Sequence, residues 1–224
     1  MRTSRRRFIQ YGCVACSMGI MFPKLLLAQA ASKNVVHDLK GQLLINKTSA
    51  IIGQELKPGD SLVTGKNSKA TILFQGDAYH LKESTTFILP TDAGANSSVV
   101  GGAVLAAFTP GKQKKINISD KTVLSIRGTG VYVEVGAESS DFCLCYGQAN
   151  LSSNKSDVDV VTDTKFHKDF TIEANGEIHP TYWYDRRMTH TSRQNIELEK
   201  IAGRSSPFDG GYRDWVAQFE DPEL

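Results

Sequence analysis

Apolar and polar residues alternate with a period of two between residues 35 and 178, in short runs rich in β-branched and aromatic side chains. Clear examples are 70–74 (ATILF), 131–135 (VYVEV) and 157–161 (DVDVV). Turn residues such as Pro58-Gly59-Asp60 and Asn175-Gly176 separate the runs. Short strands with frequent turns predict an antiparallel all-β domain, a multi-strand sandwich or roll, over residues 35–180.

The pattern changes after Pro180, and residues 181–224 predict a short helical extension. Thr191 and Gln194 have the spacing of a capping box, and Gly203 provides a stop, so we expect a helix between them. A second helix is expected from Gly211, with one apolar face formed by Tyr212, Trp215, Val216 and Phe219. We expect this face to dock on the β-domain as a lid; the alternative is a helix that binds a partner.

The first thirty residues have the layout of an export signal. They hold five basic residues and no acidic one, with an apolar stretch over 11–22 and a small-residue triplet at 28–30. Arg5 and Arg6 begin the twin-arginine pattern, because Phe8 and Ile9 follow them with one residue between. About 12 apolar residues cannot span a bilayer core of ~30 Å. Residues 1–30 are therefore predicted to be a twin-arginine signal peptide, cleaved after Ala30.

Removal of the signal changes the charge of the chain. The 224 residues include 26 Lys and Arg against 24 Asp and Glu, but without residues 1–30 the balance becomes 21 against 24. Three lysines lie within 112–115, and we interpret them as a solvated hairpin tip rather than a nucleic-acid site. With no later apolar stretch of membrane-spanning length, we expect a soluble periplasmic protein whose partner is another periplasmic or envelope protein.

Several motifs follow one another in a characteristic order. They are Gly41-Gln42-Leu43, 56–60 (LKPGD), Thr64-Gly65, 126–133 (IRGTGVYV) and Gly147. In this order they resemble the FecR-type domain, a family named for a periplasmic regulator of ferric-citrate uptake. The resemblance covers about residues 40–178 and implies a β-fold that acts as a non-catalytic binding, scaffold or sensory module. Signalling members carry an anti-sigma region and a transmembrane helix before this domain, whereas here we expect only the export signal.

The Arg127-Gly128-Thr129 block is expected to be a structural motif. A guanidinium can hold several backbone carbonyls at a strand crossing, Gly128 permits a turn and Thr129 can hydrogen-bond locally. The alternative is that Arg127 contacts a ligand.

Two of the four cysteines, Cys143 and Cys145, lie outside the signal and alternate with core-type residues. On one strand their Cα atoms would be about 6.6 Å apart, near the upper limit for a disulfide. Three states remain open: free or packed thiols, a disulfide formed at a bulge near Gly147, and a soft metal such as Zn or Cu. In the metal state, His167 and His190 would complete the set of ligands.

A second resemblance concerns the same stretch. Some FecR-type relatives combine a Phe-Cys-x-Cys-Tyr-Gly segment with a later Asn-His-Thr segment and a Gly-Arg-x-x-Pro-Phe ending. The corresponding segments here are 142–147, Thr189-His190-Thr191 and 203–208 (GRSSPF).

Enzyme signatures are absent from the sequence: it has no nucleophile elbow, no HExxH and no phosphate-binding loop. We therefore predict a non-catalytic exported binding or scaffold module. The alternative is a small metal-binding or redox-responsive protein that uses Cys143 and Cys145. A third hypothesis, an enzyme acting on cell-wall glycans, has only the predicted compartment in its favour.

Overall fold

The structure is a computed structural model that describes residues 34–92, 94–120, 122–153, 159–181 and 190–208. The predicted signal peptide and the helix expected from Gly211 lie outside these residues. The described part is mostly β-strand with one short helix, so the prediction of an all-β fold with a short C-terminal helix is confirmed. The strands are β1 (Val35–Lys40), β2 (Leu43–Ile45), β3 (Thr48–Ser49), β4 (Ser61–Thr64), β5 (Lys69–Phe74), β6 (Asp77–Leu81), β7 (Thr86–Ile88), β8 (Ser97–Ala107), β9 (Gln113–Ile118), β10 (Thr122–Val135), β11 (Ser139–Ser153), β12 (Asp159–Thr164), β13 (Lys168–Glu173) and β14 (Ile178–Pro180).

All described strands belong to one hydrogen-bonded network. Its main path runs β14-β13-β11-β10-β9-β8-β7-β4-β2-β3, with β1, β5 and β6 forming a branch that returns to β8, and β12 pairing with β11. Neighbouring strands are antiparallel except for β8 and β9, which are parallel. No helix within the described ranges is long and apolar enough to cross a membrane.

The two longest strands, β10 and β11, both change partners near their middle. Residues 122–127 of β10 pair with β9 and residues 130–135 pair with β8. On β11, residues 139–144 pair with β13 and residues 147–152 pair with β12. The register between β10 and β11 shifts at the same place, between Arg127 and Val131. A bulge at this place bends a strand and increases its twist, so two half-sheets can share the same pair of strands.

Each face of the bent β10–β11 pair has a different environment. Leu124, Ile126, Phe142 and Leu144 point inward to the large apolar core. We call the opposite side the outer face. Over one half of it, a second apolar cluster forms against the C-terminal segment, defined here as residues 190–208, and includes Tyr132, Cys143, Cys145, Leu198, Ala202 and Phe208.

Helix α1 (Ser192–Ile201) begins with the capping box that its sequence predicts. Thr191 Oγ1 accepts from the Gln194 backbone N–H at 3.1 Å, and Gln194 Oε1 accepts from the Thr191 backbone N–H at 3.0 Å. The helix ends at Ile201, and Gly203 follows with a positive φ of 74°. Both helix termini therefore form where sequence reasoning placed them.

A largely buried ion pair within the C-terminal segment, between Arg204 and Glu199, is hydrogen-bonded to the sheet. Arg204 Nε donates to Glu199 Oε2 at 2.5 Å, and its terminal nitrogens donate to the carbonyl oxygens of Gly76 at 2.7 Å and Ala107 at 3.0 Å. Tyr146 donates its hydroxyl to the other oxygen of Glu199. The pair thus neutralises its own charge within the segment, and the other three hydrogen bonds cross to the sheet.

The lysine-rich run at 112–115 differs from its expected role. It is not only a solvated hairpin tip, because Gln113, Lys114 and Lys115 lie within β9. Lys114 Nζ forms an ion pair at 2.9 Å with the fully buried carboxylate of Asp77. A buried carboxylate needs a counter-charge, and this lysine supplies it.

Replacing Arg204 with alanine should destabilise the protein strongly, because Glu199 would remain buried without its cation. We expect a loss of about 3 kcal/mol in the free energy of unfolding. Arg193→Ala is the matched control, since its pair with Glu197 on the same helix is exposed and should contribute about 0.5 kcal/mol or less. Urea denaturation measures both; equal effects of the two substitutions would contradict this account.

The half-buried His80 on β6 should make the protein less stable in mild acid. Burial, and then the charges of Lys69 and Lys82, lower the pKa of His80 from 6.5 to about 4, and Thr71 Oγ1 lies 2.9 Å from its Nδ1. The unfolded chain binds a proton at a higher pH than the folded chain does. The free energy of unfolding should therefore fall as pH drops from about 6.5 towards about 4.

Denaturation of His80→Gln over the same pH range tests this, because the variant should lack that part of the acid sensitivity. His37→Gln, which replaces an exposed histidine, is the control and should behave as the unmodified protein. Identical pH profiles for the unmodified protein and His80→Gln would contradict the assignment.

Candidate metal centre

Four side chains with metal-binding atoms meet on the outer face of the sheet. The Sγ atoms of Cys143 and Cys145 and one ring nitrogen each of His167 and His190 all lie within 4.8 Å of one another. The two cysteines and His190 are buried and His167 is half-buried. The structure thus brings together all four residues that the sequence singled out as candidate ligands.

Strand alternation and a bulge place the two cysteines. Phe142 and Leu144 point into the main core, so Cys143 and Cys145 point to the outer face. Leu144 pairs with Val131 and Tyr146 pairs with Gly130, which leaves Cys145 as the extra residue of the bulge. Both thiols are free rather than joined in a disulfide.

His167 reaches the cysteines from the turn between β12 and β13. Its backbone N–H donates to the Cys145 carbonyl at 3.0 Å, which fixes the turn against the bulge. Its Nδ1 lies 3.3 Å from Cys143 Sγ, and its Nε2 lies 3.0 Å from Ser192 Oγ. One ring nitrogen therefore faces the thiols while the other is held by the helix.

His190 reaches the same point from the C-terminal segment, directly before the N-cap residue of α1. Its Nε2 lies 3.4 Å from Cys145 Sγ and 3.3 Å from His167 Nδ1. The ring stacks on Tyr132 of β10, with centroids 4.5 Å apart and planes at 16°. The capping box between Thr191 and Gln194 fixes the start of α1 directly after this histidine.

The two thiols differ in acidity. Burial raises the pKa of Cys143 well above the ordinary thiol value. Burial also acts to raise the pKa of Cys145. The hydrogen bond from Cys143, the charge of His190 and hydrogen bonds from both histidines lower this pKa by more than burial raises it. The net pKa of Cys145 lies well below the ordinary value. The pocket therefore favours one thiolate and surrounds it with donors.

Two sulfur and two nitrogen donors form the ligand set that zinc prefers at closed structural sites, and they also suit Cu(I). With two thiolates and two neutral imidazoles, a divalent ion would give a complex without net charge, which lowers the cost of burial. Four protein ligands leave no open position for water or substrate. Such an arrangement can bind a metal and join chain segments, but it does not have the open coordination of a catalytic site.

Aromatic rings enclose the histidine side of the site. The His167 ring stacks on Phe208 at 5.5 Å between centroids, and Phe166 meets both rings edge-on. Such rings exclude water from the donors and limit the orientations of the imidazole.

The three residues of the Arg127-Gly128-Thr129 block differ in how far they match the expected structural motif. Gly128 has a positive φ of 60°, and a Cβ there would lie 2.8 Å from Pro110 Cα, so the backbone requires a glycine at this position. The carbonyl-holding role expected of Arg127 stays a prediction: its side chain is exposed, and none of the hydrogen bonds or ion pairs among the described residues involves it. Thr129 Oγ1 is buried and likewise makes no hydrogen bond with a described residue.

Sequence reasoning missed several residues around the site. Ser192 and Tyr132 position the two histidines, and the Tyr146–Glu199–Arg204 group holds the helix. Tyr146 and Arg204 did lie inside motifs that were singled out, but nothing in the sequence indicates that they meet at Glu199. Arg5, Arg6 and the cleavage position after Ala30 lie outside the described residues.

Comparison with known proteins gives little further information. No family model and no curated protein matches the chain. Among solved structures, two crystal structures of a candidate anti-sigma factor from Parabacteroides distasonis are similar, each at 15% identity with a TM-score of 0.47. The similarity covers 54% of this chain and 58% of that protein, so the chain spans somewhat more than half of its length.

Proposed function

We propose that this protein is an exported, non-catalytic β-module that binds one zinc or copper(I) ion between its sheet and its C-terminal segment. The observation that carries the proposal is the group of four sulfur and nitrogen donors within 4.8 Å. Zinc is favoured, because its two positive charges balance two buried thiolates.

The burial of the donors supports a metal over free thiols. Cys143 and Cys145 are both fully buried, and one of them favours the thiolate form. A buried thiolate beside a second thiol and two imidazoles needs a compensating positive charge. One protonated histidine could neutralise one thiolate, whereas a divalent metal ion would neutralise two thiolates at a single point and bind both imidazoles in their neutral form.

The origin of the ligands indicates what the metal does. Two ligands come from β11, one from the β12–β13 turn, and one from the residue before the N-cap of α1. A bound ion therefore joins the C-terminal segment to the sheet at the start of the helix. Binding free energy at such a site adds to the free energy of docking. Loss of the metal would weaken this attachment, so the site could also report on metal supply.

The export signal predicted over residues 1–30 supports a periplasmic location. The twin-arginine route carries folded proteins, so the centre could be filled before export. The resemblance of residues 40–178 to FecR-type domains supports a binding or scaffold role toward another periplasmic or envelope protein. The metal centre would then hold the C-terminal segment in the position in which it binds that partner protein.

Elemental analysis of the protein purified under reducing conditions from its native compartment tests the proposal. We expect one zinc or copper ion per chain, and none in the Cys143→Ser/Cys145→Ser variant, since both sulfur ligands are removed. His179→Ala is the control, because His179 lies on β14 outside the group. A metal-free protein in which both thiols are intact, and which binds no zinc or copper on titration, would contradict the proposal.

Ser192→Ala should weaken metal binding without removing a ligand. Its hydroxyl holds the far nitrogen of the His167 ring, and loss of such a support lowers metal affinity by about 10-fold or more. Competition with a chelator measures the affinity. Ser205→Ala replaces an exposed serine on the same segment and should leave it unchanged. Equal affinities in the two variants would contradict the supporting role.

A further inference from the structure

A cleft of about 720 Å³ opens over the other half of the outer face, where β9, β10, β11 and β12 lie side by side. The inner face of these strands belongs to the main core, through residues such as Ile126 and Leu151. The cleft is therefore built on a sheet that is packed on its other side. The two cysteines of the candidate metal centre lie elsewhere on β11.

The strand register aligns polar side chains across the cleft. Arg127 on β10 lies between Gln113 on β9 and Gln148 on β11, and Gln148 pairs in turn with Asp163 on β12. All four of these side chains are exposed and line the cleft. A cation thus stands on one side, a carboxylate on the other and an amide between them.

Arg127 carries a positive charge that no neighbouring side chain in this row balances. Its two cross-strand neighbours are both neutral amides, and none of the described carboxylates forms an ion pair with it. Lys115, two residues after Gln113 on β9, adds a second exposed cation near this side. An arginine with five free donors in a cleft is suited to bind a carboxylate in a two-pronged manner.

A further observation points to a ligand with its own polar groups. Gln148 Nε2 donates to Asp163 Oδ2 at 3.2 Å, which orients that carboxylate while leaving its other oxygen available.

We propose that this cleft binds a short peptide with free termini. Its carboxylate would pair with Arg127, its ammonium with Asp163, and its backbone amide with Gln148. The backbones at Arg127 and Asp163 are two strand spacings apart, roughly 10 Å, and an extended chain covers about 3.3 to 3.6 Å per residue. A tripeptide has about the length of this separation.

Calorimetric titration of the full mature protein with trialanine, its C-terminal amide and its N-acetyl derivative tests the proposal. Trialanine should bind in the millimolar range, and blocking either end should weaken binding by about tenfold, the value of one charge-assisted hydrogen bond. Absence of trialanine binding, or equal binding of all three peptides, would overturn the proposal.

Two substitutions test which residue binds which terminus of the peptide. Arg127→Gln should remove the preference for the free carboxylate over the amide, and Asp163→Asn should remove the preference for the free ammonium over the acetylated end. Lys47→Gln, which removes an exposed charge far along the chain, should change neither preference. Thermal melts of each variant establish that it is folded. Preferences that persist in a folded Arg127→Gln or Asp163→Asn variant would overturn the assignment.

Discussion

Two thiols and two imidazoles share one largely buried space where the C-terminal segment meets the sheet, and burial requires that any charge on this group be neutralised. The helix buries Ser192, Asn195 and Glu199 as well as Leu198, so apolar contact alone does not hold it. Polar groups that leave water must find partners. The Glu199 carboxylate accepts hydrogen bonds from Tyr146 and Arg204. The four sulfur and nitrogen donors of the candidate metal centre would share a metal ion as their partner.

The bend in β10 and β11 makes this arrangement geometrically feasible. Because both strands change partners and shift register at the same level, Cys145 becomes an extra residue that projects toward the helix. The same bend divides the outer face into a half covered by the C-terminal segment and a half that carries the polar cleft. One irregularity in the sheet thus creates both candidate sites, and it is built around Gly128, Gly130 and Gly147.

Local patterns in the sequence predicted local structure well. Alternation over 131–135 predicted a strand, and the spacing of Thr191 and Gln194 predicted the helix start, since both depend on neighbouring residues. Chemical type and spacing also selected the four candidate ligands. What the sequence could not provide were contacts between distant positions, such as Arg204 with Gly76 or Tyr146 with Glu199. The surroundings of Arg127 were beyond the sequence for the same reason, because carbonyls at a strand crossing can be located only after the strands are paired.

X-ray absorption spectroscopy on the purified, metal-loaded protein tests the central claim most directly, because it reads the ligand atoms themselves. This account predicts a four-coordinate ion with two sulfur neighbours at about 2.3 Å and two nitrogen neighbours at about 2.0 to 2.1 Å, the values for zinc. A spectrum that contains only oxygen and nitrogen neighbours, or sulfur without histidine nitrogen, would contradict it.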